Sequence, residues 1–455
     1  MATETRNRLP LIELGAAELA TRLEGGALRA EEVSGAFLSQ IAGREPEVQA
    51  WAHLDSDDVM AQAGRADAQR RTGRPTGPLH GLPVGIKDII DVAGMPCENG
   101  TELDKGRVPS KDAGLVARLR SAGAIIMGKT VTTELAFLHP ARTTNPAAPG
   151  HTPGGSSAGS AAAVACGMVP FAVGTQTGGS VIRPAAFCGC VGFKPSYGAI
   201  GRSGILAQSP FLDTPGVFAR SVGDAAMLAE VLYGHDPDDR TTAHGPAPRL
   251  VQVASSKPPV TPTLAMLSTL PGREPDPQMS EAFASLTEML GDLAFEIALP
   301  GMFAEAARIR ARINHAEMAK SFYAYEKRGA EHFSDELAAA MRQGREMLAR
   351  DYLSALDWRA VLNGGLDEIF ERCDAIVMPA TPGPAPEGFG STGDAIYNGL
   401  WTLCGTPAVT LPLFETETGL PLGIQLVGRR GDDARLLRTA RWLMEDFVTR
   451  QQEGS

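Results

Sequence analysis

The pattern of apolar and polar positions divides the chain into short apolar runs and longer amphipathic segments. Five continuous apolar runs have the length of strands, and they lie at 82–86, 124–127, 171–175, 374–379 and 422–428. Helical patterns, in which apolar residues recur every three or four positions, separate them. Continuous apolar strands between helices are typical of a sheet that is covered on both faces. The pattern therefore predicts an α/β fold with helical layers around a sheet.

The same pattern assigns the other parts of the chain. Residues from about 10 to about 70 alternate helical segments with turns and are expected to form an outer helical layer. The Pro-rich stretch 255–278 is expected to be a surface connection ahead of a helix near 278–291. Residues 301–372 have a long, charged, helical pattern, and 379–393 are too rich in proline for regular structure. We find no internal repeat.

Composition and charge exclude several classes of protein. The 455 residues carry a formal net charge of −11, and nucleic-acid binding depends on Lys and Arg that neutralise phosphates, so no nucleic-acid partner is expected. The N-terminus has no long apolar run, which predicts no secretion signal, no membrane span and a cytoplasmic location. The six cysteines include no C-x-x-C pair and are expected to be reduced and partly buried. The eight histidines lack the spacing of a zinc site, so no metal is expected.

One segment matches a nucleotide-binding motif in its letters only. Residues 123–130, GAIIMGKT, fit the phosphate-loop pattern G-x-x-x-x-G-K-[ST]. Such a loop has to follow a strand and wrap phosphates with its backbone amides, whereas AIIM is itself a strand candidate with β-branched residues. We therefore predict no nucleotide site here.

Two segments rich in glycine and serine are the candidates for catalytic chemistry. The first, GTQTGGS at 174–180, precedes a small apolar segment with a proline, which predicts a helix just after the serine. Glycine allows so tight a turn that successive backbone amides point into one concavity, namely those of Thr177, Gly178, Gly179 and Ser180. Such amides form an oxyanion hole, which binds the charge developing on a carbonyl oxygen. The structural alternative is a glycine turn with a capping serine.

A serine hydroxyl needs a base before it can attack a carbonyl carbon at neutral pH. The second segment, GGSSAGSAAAVACGM at 154–168, leads into a helix of small apolar residues that has to be buried and can bring Ser156 near other backbone. The nearest histidine, His151, is expected in a surface or turn position. Lys87 closes the apolar run 82–86, where desolvation would lower the pKa of its ammonium group and leave the neutral amine that a base must be. The alternative for Lys87 is a surface residue whose charged end reaches water.

These segments resemble the amidase signature family. The resemblance rests on GLPVGIKDIIDVAG, on TPGGSSAGSAAAVACGMVPFAVGTQTGGSVIRPAAFCGCVGFKPS and on CGTPAVTLPLFETETGLPLGIQLVG, and it extends from about residue 10 to about residue 445. It implies a single α/β domain over 1–455, with a mixed β-sheet sandwiched between helical layers. The signature core would lie at about 80–220 and the variable substrate-pocket region at about 300–400.

The resemblance also implies a Ser-Ser-Lys triad. Matched motif by motif, the family's lysine falls on Lys87, its bridging serine, on a cis peptide bond, falls on Ser156, and its nucleophile falls on Ser180. The implied enzyme hydrolyses a small-molecule carboxylic amide to an acid plus ammonia or an amine through an acyl-enzyme, without a cofactor. A glutamine amidotransferase-like subunit that supplies ammonia and a non-catalytic scaffold are the alternatives.

The residues around Ser180 depart from the family's usual spelling, G-T-D-T-G-G-S-I-R-x-P. Gln176 stands in place of the aspartate, Ile182 in place of the arginine, and Arg183 follows one position later. If the family's two charged residues form an ion pair, losing both avoids one buried, unpaired charge. We therefore expect neutral surroundings and an active enzyme. Arg183 either reaches a substrate carboxylate or is an arginine with a structural partner.

The sequence leaves the substrate and the oligomeric state open, with a homodimer as the default expectation. Residues 314–329 and 390–401 mix aromatic with polar side chains and are candidates for the walls of the substrate pocket. They are equally compatible with ordinary packing of helices and loops.

Overall fold

A computed structural model describes residues 10–453, and a sheet of eleven strands runs through it. Residues 1–9, the start of the N-terminal segment judged above to lack a secretion signal, lie outside the described residues. The strands, in chain order, are β1 Trp51–Leu54, β2 Pro83–Lys87, β3 Ile125–Thr130, β4 Phe171–Gln176, β5 Val191–Lys194, β6 Thr214–Ala219, β7 Leu264–Met266, β8 Ala294–Glu296, β9 Ala375–Pro379, β10 Ala408–Glu415 and β11 Pro421–Val427.

The sheet is mixed. Its strand order is β1-β3-β2-β4-β6-β5-β10-β11-β9-β7-β8. Strands β3, β2 and β4 are parallel to one another, as are β9, β7 and β8 at the other end, and the remaining neighbours are antiparallel. Parallel strands β2 and β4 are therefore direct neighbours, and this pair carries the candidate chemistry.

Helices cover the sheet on both faces. The alternation of side chains along β9 shows it, because Val377 lies in one hydrophobic cluster while Ile376 and Met378 lie in another. The predicted α/β fold is thus confirmed. The helices are α1 Ala16–Glu24, α2 Ala30–Val48, α3 Ser56–Arg71, α4 Gly114–Ser121, α5 Ala158–Ala165, α6 Ile182–Cys188, α7 Val222–Leu232, α8 Leu250–Ala254, α9 Pro277–Leu290, α10 Ala306–Ser321, α11 Tyr323–Gly329, α12 Asp335–Glu346, α13 Ala349–Phe370, α14 Ile396–Cys404 and α15 Asp433–Glu453.

All five apolar runs form strands, but the sequence analysis missed others. Strand β1 lies within the segment predicted as a helical layer, and β7 lies within the Pro-rich stretch predicted as a connection. Strand β1 has four residues and is buried at its first position only, so it offers no continuous apolar run. Both strands are short, and their pairing partners supply what their own sequence does not.

The segment that spells a phosphate loop is largely strand β3. The lysine of the motif, Lys129, is fully buried, and its Nζ forms a salt bridge with Asp88 Oδ1 at 3.0 Å. Burial raises the pKa of Asp88, and the charge of Lys129 opposes that rise. A lysine held in this way does not reach a phosphate, in agreement with the prediction of a strand.

The cysteines and the helices bear on two further expectations. All six thiols, which fall within the described residues, are free, and five of them are buried. Within residues 10–453 no helix is both long enough and apolar enough to cross a membrane.

Candidate active site

Lys87 and Ser156, far apart in the chain, are in direct contact. Lys87 ends β2, and its Nζ donates to Ser156 Oγ at 2.7 Å and to Thr175 Oγ1 at 3.0 Å. The peptide bond between Gly155 and Ser156 is cis, as the family resemblance implies. Lys87 is 0% exposed and Ser156 is 1% exposed, so this contact is sealed from bulk water.

Burial changes the protonation of Lys87. Desolvation lowers the pKa of its amine to about 7, and the charge of Asp213 opposes the shift. A large fraction of Lys87 is therefore neutral at pH 7 and able to accept a proton.

Lys194 shows that a lowered pKa is not enough to identify a base. Burial lowers the pKa of Lys194 to about 7 as well. Its Nζ, however, donates to the backbone carbonyls of Pro195 and Thr406 and has no contact with a serine. Contact with Ser156 is thus what distinguishes Lys87.

Hydrogen bonds from the start of α5 to strand β4 hold Ser156 in place. Ser157 Oγ donates to the Thr175 carbonyl at 3.2 Å and accepts from the Thr175 amide at 3.3 Å. One turn later, Ser160 Oγ donates to the Val173 carbonyl at 3.1 Å. A Cβ at Gly174 would lie 2.6 Å from Ser157 Oγ, so this close approach requires glycine. The run of small residues in α5 thus lets the helix sit directly on the strand.

The loop after β4 leaves its amides unused by the protein. Within the described part of the chain, none of the backbone amides at 177–180 donates a hydrogen bond to a protein acceptor. Ser180 ends this loop, one residue before Val181 and the start of α6, and it is 8% exposed. Free amides beside a serine at a cavity wall have the composition of an oxyanion hole.

Gln176 fastens this loop with neutral hydrogen bonds. Its Oε1 accepts from the amides of Val181 at 2.9 Å and Ile182 at 3.0 Å. Its Nε2 donates to Thr402 Oγ1 at 3.0 Å, and Thr402 Oγ1 in turn donates to the Gly178 carbonyl at 2.9 Å. The surroundings expected from the unusual spelling are therefore neutral at Gln176, while Ile182 packs in a hydrophobic cluster.

Asp213 supports the loop from its other side and was not singled out from the sequence. Thr177 Oγ1 donates to Asp213 Oδ1 at 2.6 Å, and the other carboxylate oxygen accepts from the amides of Gln208 and Ser209, each at 2.9 Å. Burial raises the pKa of Asp213 to about 6. A cavity of about 170 Å³ adjoins Thr175, Thr177 and Asp213 on this side.

Arg183 is buried and bonded to backbone. Its Nη1 donates to the Gly393 carbonyl at 2.6 Å and its Nη2 donates to the Gly155 carbonyl at 2.7 Å. Burial lowers the pKa of Arg183 to about 10, which leaves it charged at neutral pH. It therefore links the residue before Ser156 to the loop before α14.

Ser180 opens into a cavity of about 100 Å³. A second cavity, of about 340 Å³, shares the walls formed by Arg183 and Arg310. Both segments proposed as pocket walls contribute, since Asn314 and His315 line the first cavity and residues 393–396 line the second. Burial and the charge of Arg310 lower the pKa of His315. Within residues 10–453 no three His, Cys, Asp or Glu side chains converge to hold a metal ion.

Comparison with known proteins agrees with this arrangement. Residues 32–437 match the family model described as Amidase. A glutamyl-tRNA(Gln) amidotransferase subunit of Chloroflexus aurantiacus is 34% identical over 465 residues, which cover 91% of this chain and 93% of that protein.

Solved structures give the same picture. The peptide amidase of Stenotrophomonas maltophilia has a TM-score of 0.81 and 28% identity, and covers 98% of each chain. A complex described as vestigial and as revealing the origins of an s-triazine catabolic enzyme has a TM-score of 0.88 and 25% identity, over 95% of this chain and 98% of that one. The chain therefore belongs to the amidase signature family of enzymes.

Proposed function

We propose that the protein is an amidase that hydrolyses a linear carboxylic amide to a carboxylic acid and ammonia or an amine, with Lys87, Ser156 and Ser180 as its catalytic triad. The observation that carries the proposal is the 2.7 Å hydrogen bond from the buried Lys87 Nζ to Ser156 Oγ. It is supported by the unpaired amides at 177–180, which end at Ser180.

The first half of the reaction forms an acyl-enzyme. Neutral Lys87 accepts the hydroxyl proton of Ser156, and Ser156 Oγ accepts the hydroxyl proton of Ser180. Ser180 Oγ then attacks the amide carbon, and the amides at 177–180 stabilise the oxyanion. When the C–N bond breaks, the proton returns through Ser156 to the leaving nitrogen, which departs as ammonia or an amine.

The second half releases the acid. Water attacks the ester carbon of acyl-Ser180 and gives its proton to the same relay, and the tetrahedral intermediate collapses to the carboxylic acid and free Ser180. Arg183 and Gln176 act as positioning residues in this proposal, because both bond to backbone next to a triad serine and neither is needed for proton transfer.

The test is a release assay for ammonia or amine on a panel of aliphatic, aryl and peptide amides. Ser180→Ala and Lys87→Met are expected to lower kcat by at least about 1000-fold, because they remove the nucleophile and the base. Lys194→Met is the matched control, since it removes an equally buried lysine that has no contact with Ser156. Hydroxylamine added to the wild type should divert a common acyl-enzyme to the hydroxamate. Equal losses in Lys87→Met and Lys194→Met would contradict the assignment of the base.

A second candidate function is an ammonia-supplying component of a larger complex. It is favoured by the 34% identity to a protein named as one subunit of a glutamyl-tRNA(Gln) amidotransferase. In that case glutamine would be hydrolysed slowly by the isolated chain and faster with added partner subunits. Amide turnover by the isolated chain at rates that partner subunits do not change would favour the stand-alone amidase.

The proposal includes a cytoplasmic place of action. The six free thiols support it, because disulfides are rare in reducing compartments and free, buried cysteines are stable there.

A further inference from the structure

Arg310 stands on α10 in the wall of both cavities and has no partner. Within the described residues it forms no hydrogen bond, and no carboxylate oxygen lies within 4.0 Å of its nitrogens. Its side chain is half-buried. A guanidinium group carries five N–H donors and stays charged at neutral pH, so a half-buried arginine without an acceptor has unused capacity to bind an anion.

Two glycines make the space that holds this guanidinium. A Cβ at Gly178 would lie 3.3 Å from Arg310 Nη1, and a Cβ at Gly399 would lie 2.5 Å from Arg310 Nε. Arg310 is therefore packed against the loop whose amides are proposed to bind the oxyanion. Packing fixes its position without using its donors.

The charges around Arg310 are mostly positive. The cavity at Ser180 is lined by Arg183 and Arg310 and by no aspartate or glutamate among the described residues. Arg183 already donates to two backbone carbonyls, so Arg310 is the more available donor. His315, on the same wall, has a lowered pKa and adds no competing negative charge.

Asp394 is the carboxylate that acts on Arg310 from a distance. It lines the second cavity, and its Oδ1 accepts from the Ile396 amide at 2.9 Å. Its charge raises the pKa of Arg310, against the lowering by burial. Because Asp394 is turned to its own loop and is not paired with Arg310, the guanidinium remains open toward the cavity.

We propose that Arg310 is a specificity-determining residue that binds a carboxylate on the acyl part of the substrate, so that the preferred substrates are monoamides of short dicarboxylic acids. This inference rests on the amidase function proposed above. The chain between the two carbonyl carbons has to be short, because Arg310 lies against Gly178 and the cavity at Ser180 measures only about 100 Å³.

The test compares charged and uncharged amides of the same shape. Malonamate, succinamate and glutaramate are each paired with the amide in which an isopropyl group replaces the carboxylate, for succinamate 4-methylpentanamide. The wild type should show a kcat/KM at least about 100-fold higher for the charged member of the best pair, since hydrogen bonds to charged groups contribute strongly.

Arg310→Met should lower kcat/KM about 100-fold for the charged amide and leave its uncharged partner within about threefold. Arg310→Lys should restore part of the loss, because it returns the charge without the forked geometry. Arg308→Met on the same helix is the matched control, as Arg308 is exposed and pairs with Glu305. Equal losses on both members of every pair in Arg310→Met would overturn the proposal and indicate a structural role.

Binding to an inactive variant separates this inference from the proposed function. In Ser180→Ala, calorimetric titration with the same three monoamides should give a Kd that rises about 100-fold when Arg310→Met is added. If the wild type hydrolyses no amide but this difference is found, the proposed function fails and the carboxylate site stands. If the wild type hydrolyses amides and no monoamide shows dependence on Arg310, the carboxylate site fails and the amidase stands.

Discussion

Lys87 and Lys194 are equally buried lysines with different neighbours. At Lys194 the ammonium group donates to main-chain carbonyls, which cannot pass a proton on. At Lys87 the neighbour is a hydroxyl, which can accept one proton and release another. The chemistry proposed for the site therefore depends on the contact of a single side chain.

The pH dependence of activity should report the protonation of Lys87. Its pKa is lowered to about 7, and only the neutral amine can act as a base, so kcat/KM should rise with pH through an inflection near pH 7 and level off above it. Rates measured from about pH 5.5 to 8.5 with an uncharged amide test this. Lys194→Met should keep the inflection. A rate that falls as pH rises through 7 would exclude a neutral lysine base.

Gln176 offers a second prediction at this scale. Gln176→Leu keeps the volume but leaves the buried amides of Val181 and Ile182 without their acceptor, so the free energy of unfolding should fall by about 2–4 kcal/mol. Urea denaturation measures the loss. The exposed Gln69→Leu is the control and should change the free energy by no more than about 0.5 kcal/mol. No destabilisation in Gln176→Leu would mean that these hydrogen bonds add nothing to the loop.

At the scale of elements, the site depends on how closely α5 approaches the sheet. A Cβ at Gly159 of α5 would lie 2.2 Å from the Ala50 carbonyl oxygen and 2.4 Å from the Val131 amide nitrogen. Both atoms belong to backbone and cannot move away as a flexible side chain would. The small residues of α5 thus serve contact between backbones.

Two glycine replacements in helices should have opposite effects. Gly159→Ala should lower the free energy of unfolding by about 1–3 kcal/mol, because the added methyl group collides with backbone. Gly364→Ala in α13 should raise it by about 0.5–1 kcal/mol, since nothing lies within 4 Å of the new Cβ and alanine favours a helix. Thermal and urea unfolding of the two variants measure the difference. Equal effects would show that contact of α5 with its neighbours is not limiting.

The sequence predicted elements wherever local pattern decides them. Strands β2, β4 and β11 are continuous apolar runs and were predicted, because a strand buried on both faces shows its burial in its own residues. Strand β6, TPGVFA, contains proline and glycine and was missed although it is fully buried. Its place in the sheet follows from pairing with β4 and β5, which no window of the sequence contains.

At the scale of the whole molecule, buried titratable groups couple stability to pH. Lys87 and Lys194 have pKa values near 7 in the folded protein, whereas lysines in an unfolded chain titrate near 10.4. Between these values the unfolded chain binds more protons, so the free energy of unfolding rises with pH. Burial raises the pKa of several cysteines, which reverses this trend only above about pH 8.5.

The stability of the wild type should therefore increase between about pH 7.5 and 8.5, by about 1.4 kcal/mol per pH unit for each of the two lysines. Lys194→Met should remove one of these two contributions and halve the slope. Urea denaturation across this range provides the measurement. A slope that is unchanged in Lys194→Met would show that this lysine remains charged in the folded protein.

Residues of the site differ in how far the sequence could identify them. Lys87, Ser156 and Ser180 lie in dense local motifs, which is why they could be proposed together. Asp213 and Arg310 lie in segments without such a motif. Their positions follow from packing between distant elements, although Arg310 stands one helical turn before Asn314, in a segment proposed as a pocket wall. That spacing was the available signal.

The hydrogen bond from Thr402 to the Gly178 carbonyl joins residues 224 positions apart. During synthesis the ribosome therefore releases Lys87, Ser156 and Ser180 long before the side chain that fastens their loop exists. A growing chain has no fastened nucleophile loop and should not cleave amides until nearly all of it has emerged. Contacts of such long range also slow folding. In refolding from urea, we expect hydrolytic activity to return with the slowest phase, after most of the helical signal has recovered.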